Sequence, residues 1–281
     1  MGILSLVILS PLVAAVALLL VPTRSRAVVR IVSLLGAGVS LVGSGLVAWR
    51  YHLGIGGVQM REELPLLPDL GISWKLGVDG WGVTLLLLTA IIIFAGIWAS
   101  WNMRDREKEF FILLLVLVAG VFGVFVSLDL FVFFLFYEIA VLPMYLLIGV
   151  WGSTKAVEKK GPLKGILKGF DLGGREYAAM KLTLMLLLGS ALILAALLGM
   201  VVVSGTGTWD LEVLQSVRYP RAFQLAAFPA LWIGFGTLAG VFPWHTWSPD
   251  GHASAPTAVS MLHAGVLMKL GHFSIIRVGY E

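Results

Sequence analysis

The chain has 281 residues, of which 59% are hydrophobic and 13% charged, with a mean hydropathy of +0.95; a soluble globular domain carries about 25% charged residues. A water-soluble globule is thereby excluded. A formal charge of +4 does not point to nucleic acid in such a chain, because the placement of basic residues in loops matters more than their sum. The absence of cysteine removes disulfides, thiolate nucleophiles, cysteine-ligated zinc and iron–sulfur clusters held by this chain alone.

A hydrocarbon core of ~30 Å needs ~20 helical residues per crossing. Apolar stretches of that length predict eight spans, at 3–21, 28–49, 79–101, 110–127, 130–151, 177–203, 223–247 and 254–277, so the expected fold is an all-α polytopic membrane bundle. The first span lacks a basic leading region and a small-residue cleavage site before Pro22-Thr23-Arg24, and is read as a retained helix. Alternate loops hold twelve basic residues, among them Arg24, Arg26, Arg30, Arg104, Arg106, Lys108 and the lysines of 152–176, against five in the other set. Basic loops stay on the cytoplasmic side, so the N-terminus is expected outside a bacterial or archaeal plasma membrane.

Along the second span, Gly36, Gly38, Gly43 and Gly45 are read as small residues for close helix packing, since no strand precedes them as a nucleotide-binding loop would require. The outer segment 52–78, rich in Gly and Pro, contains an alternating DLGISWKLGVD that predicts a short strand or hairpin without chemistry of its own. The fifth span, LFVFFLFYEIAVLPMYLLIGVW, places Glu138 at bilayer depth. A charge there costs roughly 2.5–3.5 kcal/mol on insertion scales, so such residues usually face a protein interior and serve ion pathways. Its aromatic residues are read as packing bulk, and Trp98, Trp101, Trp151 and Trp247 near span ends as interfacial anchors. Lysines interleaved with Leu163, Ile166, Leu167 and Phe170 allow a helix lying on headgroups, or simply a basic connector.

Two lysines fall inside spans. Lys181 is close enough to the charged Arg175-Glu176 pair to snorkel to the interface, whereas Lys269 lies deeper, eight residues before Arg277, and is expected to need a polar cavity or partner. A protonated lysine near Glu138 would favour release of its proton, and loss of that charge its return, so proton transfer is the chemistry such groups support without a cofactor. In FPWHTWSPDGHASAPTAVSMLHAG, Pro243, Pro249 and Pro256 with Gly240 and Gly251 exclude an unbroken helix; in transporters such breaks line a wet cavity and mark the ion path. His245, His252, His263 and His272 surround it. His263 is the best placed to join a relay, and His245 has the alternative of bonding a carbonyl freed at the break. No metal or catalytic set is evident, and no soluble small-molecule substrate is expected.

FPWHTWSPDGHASAPTAVSMLHAGVLMKLG resembles the broken-helix signature of the antiporter-like subunits of respiratory complex I (NADH:quinone oxidoreductase), the M-type or chain 4 members above all. Related chains occur in membrane hydrogenases and Mrp-type cation/proton antiporters. LFYEIAVLPMYLLIGVWG and YAAMKLTLMLLLGSALIL are similar to the family's fifth and sixth helices, and the likeness runs from the first span to Lys269. The resemblance implies that Glu138 is the family's essential glutamate and Lys269 its central lysine. It implies two inverted helical repeats, each with one discontinuous helix. Residues 1–109 would then hold the first three helices with the outer loop, and 110–281 the first repeat, broken near 238–256, with the second repeat absent from this chain. It further implies a proton-translocating enzyme subunit without a redox site of its own. FMN, iron–sulfur clusters and quinone would sit in partner subunits, and its partners would be the bilayer and other membrane subunits. Two departures stand out. Leu238 occupies the position of a family lysine, for which Lys181 or His263 would have to substitute, and the chain stops after the eighth helix, as a fragment, a truncated gene model or a split subunit would. An Mrp-type or hydrogenase-type subunit and a non-conducting scaffold are the alternatives.

Overall fold

The computed structural model describes residues 2–22, 25–153 and 174–280; the segment from Leu163 to Phe170, read above as a headgroup-lying helix or connector, lies outside them. Among the described residues eight helical segments are long and apolar enough to cross a membrane, as their composition predicts. The first two, α1 (Ile3–Leu20) and α2 (Arg26–Arg50), pack antiparallel. A Cβ on Gly43 would fall 2.7 Å from the Val7 side chain, so this glycine serves close packing as expected.

The outer segment forms an antiparallel hairpin, β1 (Gln59–Leu67) and β2 (Ile72–Val78), with Glu62 opposite Leu76 and Leu64 opposite Trp74. Its acids end helices rather than carry chemistry. The Glu62 carboxylate accepts from the backbone nitrogens of Gly2 at 2.9 Å and Leu4 at 2.7 Å, satisfying orphan donors at the start of α1. Asp79 does the same for α3 (Gly80–Ala99) through Gly82 N at 2.6 Å.

Helix α4 (Glu107–Val126) is the core of the bundle, with Phe110, Phe111, Leu114, Leu117, Val121 and Phe122 fully buried. Helix α5 (Leu130–Trp151) lies against it, capped by Asp129, whose carboxylate accepts from Phe131 N at 2.9 Å and Val132 N at 3.0 Å. The approach depends on Gly120, where a Cβ would come within 2.5 Å of the Ala140 nitrogen. Helix α6 (Gly174–Ser204) packs on α5 and on α8 (Arg221–Ala239), and the short α7 (Leu211–Gln215) lies in the connection between α6 and α8.

The seventh span is broken where the prolines and glycines predict. Helix α8 ends at Gly240, which takes φ 70°, and the chain passes through Pro243 and a single turn at Trp244–Thr246 into α9 (Trp247–Ser254). A second interruption at Ala255-Pro256 precedes the last span, built from α10 (Thr257–Leu262), a π-helical stretch at His263–Leu267, α11 (Met268–Ser274) and a final π-helical stretch at Ile275–Tyr280. The regular helix therefore stops at Ala239, short of the continuous 223–247 span that hydropathy suggests, because Gly240 and Pro243 end it before the apolar run does.

Candidate functional site

Helix α5 holds Glu138 at its middle, half-buried, with the Ser190 hydroxyl of α6 facing the carboxyl. Its Oε1 is buried and makes no hydrogen bond among the described residues, and the neighbouring Tyr137 hydroxyl is in the same position. A buried polar atom without a hydrogen bond costs about 1–3 kcal/mol. The expectation that Glu138 faces protein rather than lipid agrees with this placement.

Lys181 does not snorkel outward. Its Nζ lies 2.7 Å from Asp250 Oδ2 and donates to the Thr246 carbonyl at 2.7 Å, and that carbonyl belongs to the single turn in the break. A freed acceptor and a carboxylate on α9 thus tie α6 to the broken helix. Asp250 was the unrecognised member of the site; as the only acid in the broken segment it was visible in the sequence, but spacing along one helix does not reveal a partner on another.

The two histidines at the break stack. His263 has 1% of its surface exposed, lies parallel to His252 at 3.9 Å between ring centroids, and stacks on Trp247 at 5.0 Å. Neither of its ring nitrogens has a partner among the described residues, while His252 Nδ1 reaches Ser260 Oγ at 3.2 Å. Trp247 is therefore no interfacial anchor: it is 1% exposed, and its indole donates to the Thr237 carbonyl at 2.9 Å, because the break turns the start of α9 into the bundle. His245, half-buried beside Phe242, has its Nδ1 unpaired, so that nitrogen does not use the carbonyl offered at the break. Leu238, at the position where a lysine was expected, is 1% exposed and packed in the apolar core.

Lys269, expected to need a polar cavity or partner, borders a cleft that holds charged residues. Its side chain is exposed on the outer face of the last span, with Nζ bonded to the Ala264 carbonyl of its own helix at 2.8 Å, and it has no ion pair with Glu138 among the described residues. It lines an open cleft of about 320 Å³ with Trp81, His272 and the Arg277–Asp79 pair, whose atoms are 2.8 Å apart. The π-helical stretch at His263–Leu267 shifts the helical phase: Leu262, His263, Val266, Leu270 and Phe273 are buried, whereas positions 269, 272 and 276 are exposed. Glu138, the Lys181–Asp250 pair and the stacked histidines lie within the bundle, and Lys269 and His272 lie on its exterior.

Comparison with known proteins gives the arrangement its context. Residues 127–280 match the proton-antiporter M family, described as NADH:quinone oxidoreductase/Mrp antiporter, transmembrane. NAD(P)H-quinone oxidoreductase chain 4 of Thermosynechococcus vestitus is 37% identical over 279 residues, covering 99% of this chain and 49% of the relative. A chain 4 protein of Synechocystis is 36% identical over 270 residues, covering 95% and 45%. A chain of Thermus thermophilus respiratory complex I with bound NADH superimposes with a TM-score of 0.80 at 29% identity, over 99% of this chain and 52% of that one. This chain spans about half the length of the curated relatives it matches. With a family match across more than half its residues and the fold agreeing, the chain belongs to the NADH:quinone oxidoreductase/Mrp antiporter transmembrane family.

Proposed function

We propose that this chain is a proton-conducting membrane part of an NADH:quinone oxidoreductase, with Glu138 as the carboxyl that takes up and releases the proton. The observation that carries the reading is an acid at mid-span, inside the bundle, with an unpaired oxygen, in a family that unites quinone oxidoreductases with antiporters. Ionisable residues inside a membrane are expensive and mark ion paths. The Lys181–Asp250 pair and His263 are the next groups along the broken helix. His245 borders that break, and Lys269 presents its charge on the exterior, where a further membrane helix would have to supply its partner. The basic loops support an N-terminus on the outside. FMN, iron–sulfur clusters and quinone belong in this reading to partner subunits, and the chain itself contributes no redox site.

The family name also supports a second reading, a cation/proton antiporter of the Mrp kind, and the buried Leu238 supports a third, a scaffold that conducts nothing. Co-purifying chains separate the first two: flavin and iron–sulfur polypeptides for the oxidoreductase, membrane chains alone for the antiporter. For the third, Glu138→Gln and Lys269→Ala are introduced into the assembled complex and quinone-linked proton pumping is followed in membranes. Conduction through Glu138 predicts a loss of roughly tenfold or more in Glu138→Gln; wild-type pumping in both variants would leave the scaffold.

A further inference from the structure

Between the cytoplasmic ends of α1, α2 and α4, as oriented above, lies a cleft of about 240 Å³ lined by Arg26, Arg104, Arg106 and Lys108 together with Glu107 and Glu109. Its two acids are engaged. Glu107 pairs with Arg30 and lies 4.0 Å from Arg26, and Glu109 lies 4.0 Å from Arg106, so two carboxylates face Arg26, Arg30, Arg104, Arg106 and Lys108. Lys108 reaches across to the carbonyls of Leu19 at 2.9 Å and Val21 at 2.8 Å, fixing the end of α1 as one wall. The Arg26 and Arg106 side chains remain 57% exposed, and Arg104 is exposed as well. The cleft therefore presents more cationic donors than its own carboxylates satisfy, and guanidinium groups match the oxygens of a phosphate.

The surroundings set the depth and the rest of the ligand. The Arg30 guanidinium lies 5.4 Å from the Trp101 ring and Arg106 5.7 Å from Trp151, and Trp98 stacks on Trp101 at 4.9 Å; indole rings concentrate at the headgroup level of a bilayer. Next to the cleft, Leu19 and Leu20 at the end of α1 are 61% and 85% exposed, and Val28 and Ile31 of α2 are exposed too. An anion site at headgroup depth beside an exposed apolar strip suits an amphiphile.

We propose that this cleft binds the phosphate of an anionic phospholipid from the cytoplasmic leaflet, with Arg26 and Arg104 on the headgroup and the acyl chains along Leu20, Val28 and Ile31. The site is independent of proton conduction and rests only on the orientation given above. The test uses the chain in its purified membrane assembly, in vesicles of phosphatidylcholine alone, with added phosphatidylglycerol, or with inorganic phosphate at matching concentration. The readouts are retained lipid by native mass spectrometry and the unfolding temperature. Wild type is expected to retain phosphatidylglycerol and gain stability from it, and Arg26→Gln/Arg104→Gln to bind roughly 30-fold more weakly. Arg26→Lys/Arg104→Lys, which keeps both charges but not the guanidinium forks, should retain more lipid than the Gln pair and less than wild type, and Arg218→Gln/Arg221→Gln at the opposite membrane face should retain it as wild type does. Equal retention by the Gln pair, equal loss in the Lys pair or in the opposite-face control, or stabilisation by inorganic phosphate matching that by lipid would each overturn the proposal.

Discussion

Lys75 and Glu138 both place a charge in weakly hydrated surroundings, and the protein treats them differently. Lys75 on β2 has a side chain 11% exposed and meets Asp210 Oδ2 at 2.5 Å and Glu212 Oε2 at 2.9 Å, while Arg61 takes the other oxygen of Glu212 at 2.6 Å. Burial lowers its pKa, but the hydrogen bonds and charges of Asp210 and Glu212 outweigh burial and hold the ammonium above its ordinary 10.5. A folded pKa above the unfolded one contributes stability that is fully present below about 10.5 and is lost as pH rises through the higher folded value. Unfolding temperature should thus fall more steeply above that pH in wild type than in Lys75→Met, and at neutral pH Lys75→Met should lose about 2 kcal/mol, since Glu212 keeps only Arg61 and Asp210 loses its lysine. Parallel pH profiles for the two proteins would contradict this. Asp129, by contrast, is pushed up by burial against the pull of the Ser73, Val132 and Phe131 amides, a cap under strain rather than an ion pair. Glu138, unlike Lys75, has no ion pair among the described residues, and its Oε1 makes no hydrogen bond there. Depth in the membrane was legible for Glu138 and Lys269 because an apolar run counts residues. The face was not: inward and outward positions of the last span differ by one residue, and Lys269 falls on the outside.

At the scale of elements, the break in the seventh span was legible because Gly240 and Pro243 act locally, through a positive φ and a missing N–H donor. What the break is for was not, since Lys181, Asp250 and Thr246 meet across two helices. Trp247 shows the same limit: an indole near the end of an apolar run looks interfacial, yet the turn before α9 carries it into the core against His263. Close helix approach is likewise a pairwise property. Gly120 touches the α5 backbone, and its substitution by Val should cost about 2 kcal/mol through overpacking, seen as a lower unfolding temperature. Gly45, which has open space around its Cβ direction, should tolerate Ala without such a loss; equal losses at both positions would show that helix propensity rather than contact decides.

Across the whole molecule, eight crossings, the outer hairpin and the broken helix follow from hydropathy, turn residues and proline placement. The side-chain partnerships that join the crossings follow only from the packed bundle. One end of the bundle is held by the hairpin network of Lys75, Asp210 and Glu212, and the other by Arg30 on Glu107. Among the described residues, buried side-chain polar atoms without a hydrogen bond include those of Tyr137, Glu138, His245 and His263, with Ser44, Tyr219 and Ser254. The direct test is the number of protons moved per electron pair by the assembled complex in sealed vesicles carrying Glu138→Gln or Glu138→Asp. The account predicts that the Gln variant loses the protons carried through this subunit while Asp restores part of them; an unchanged ratio in the Gln variant would contradict it.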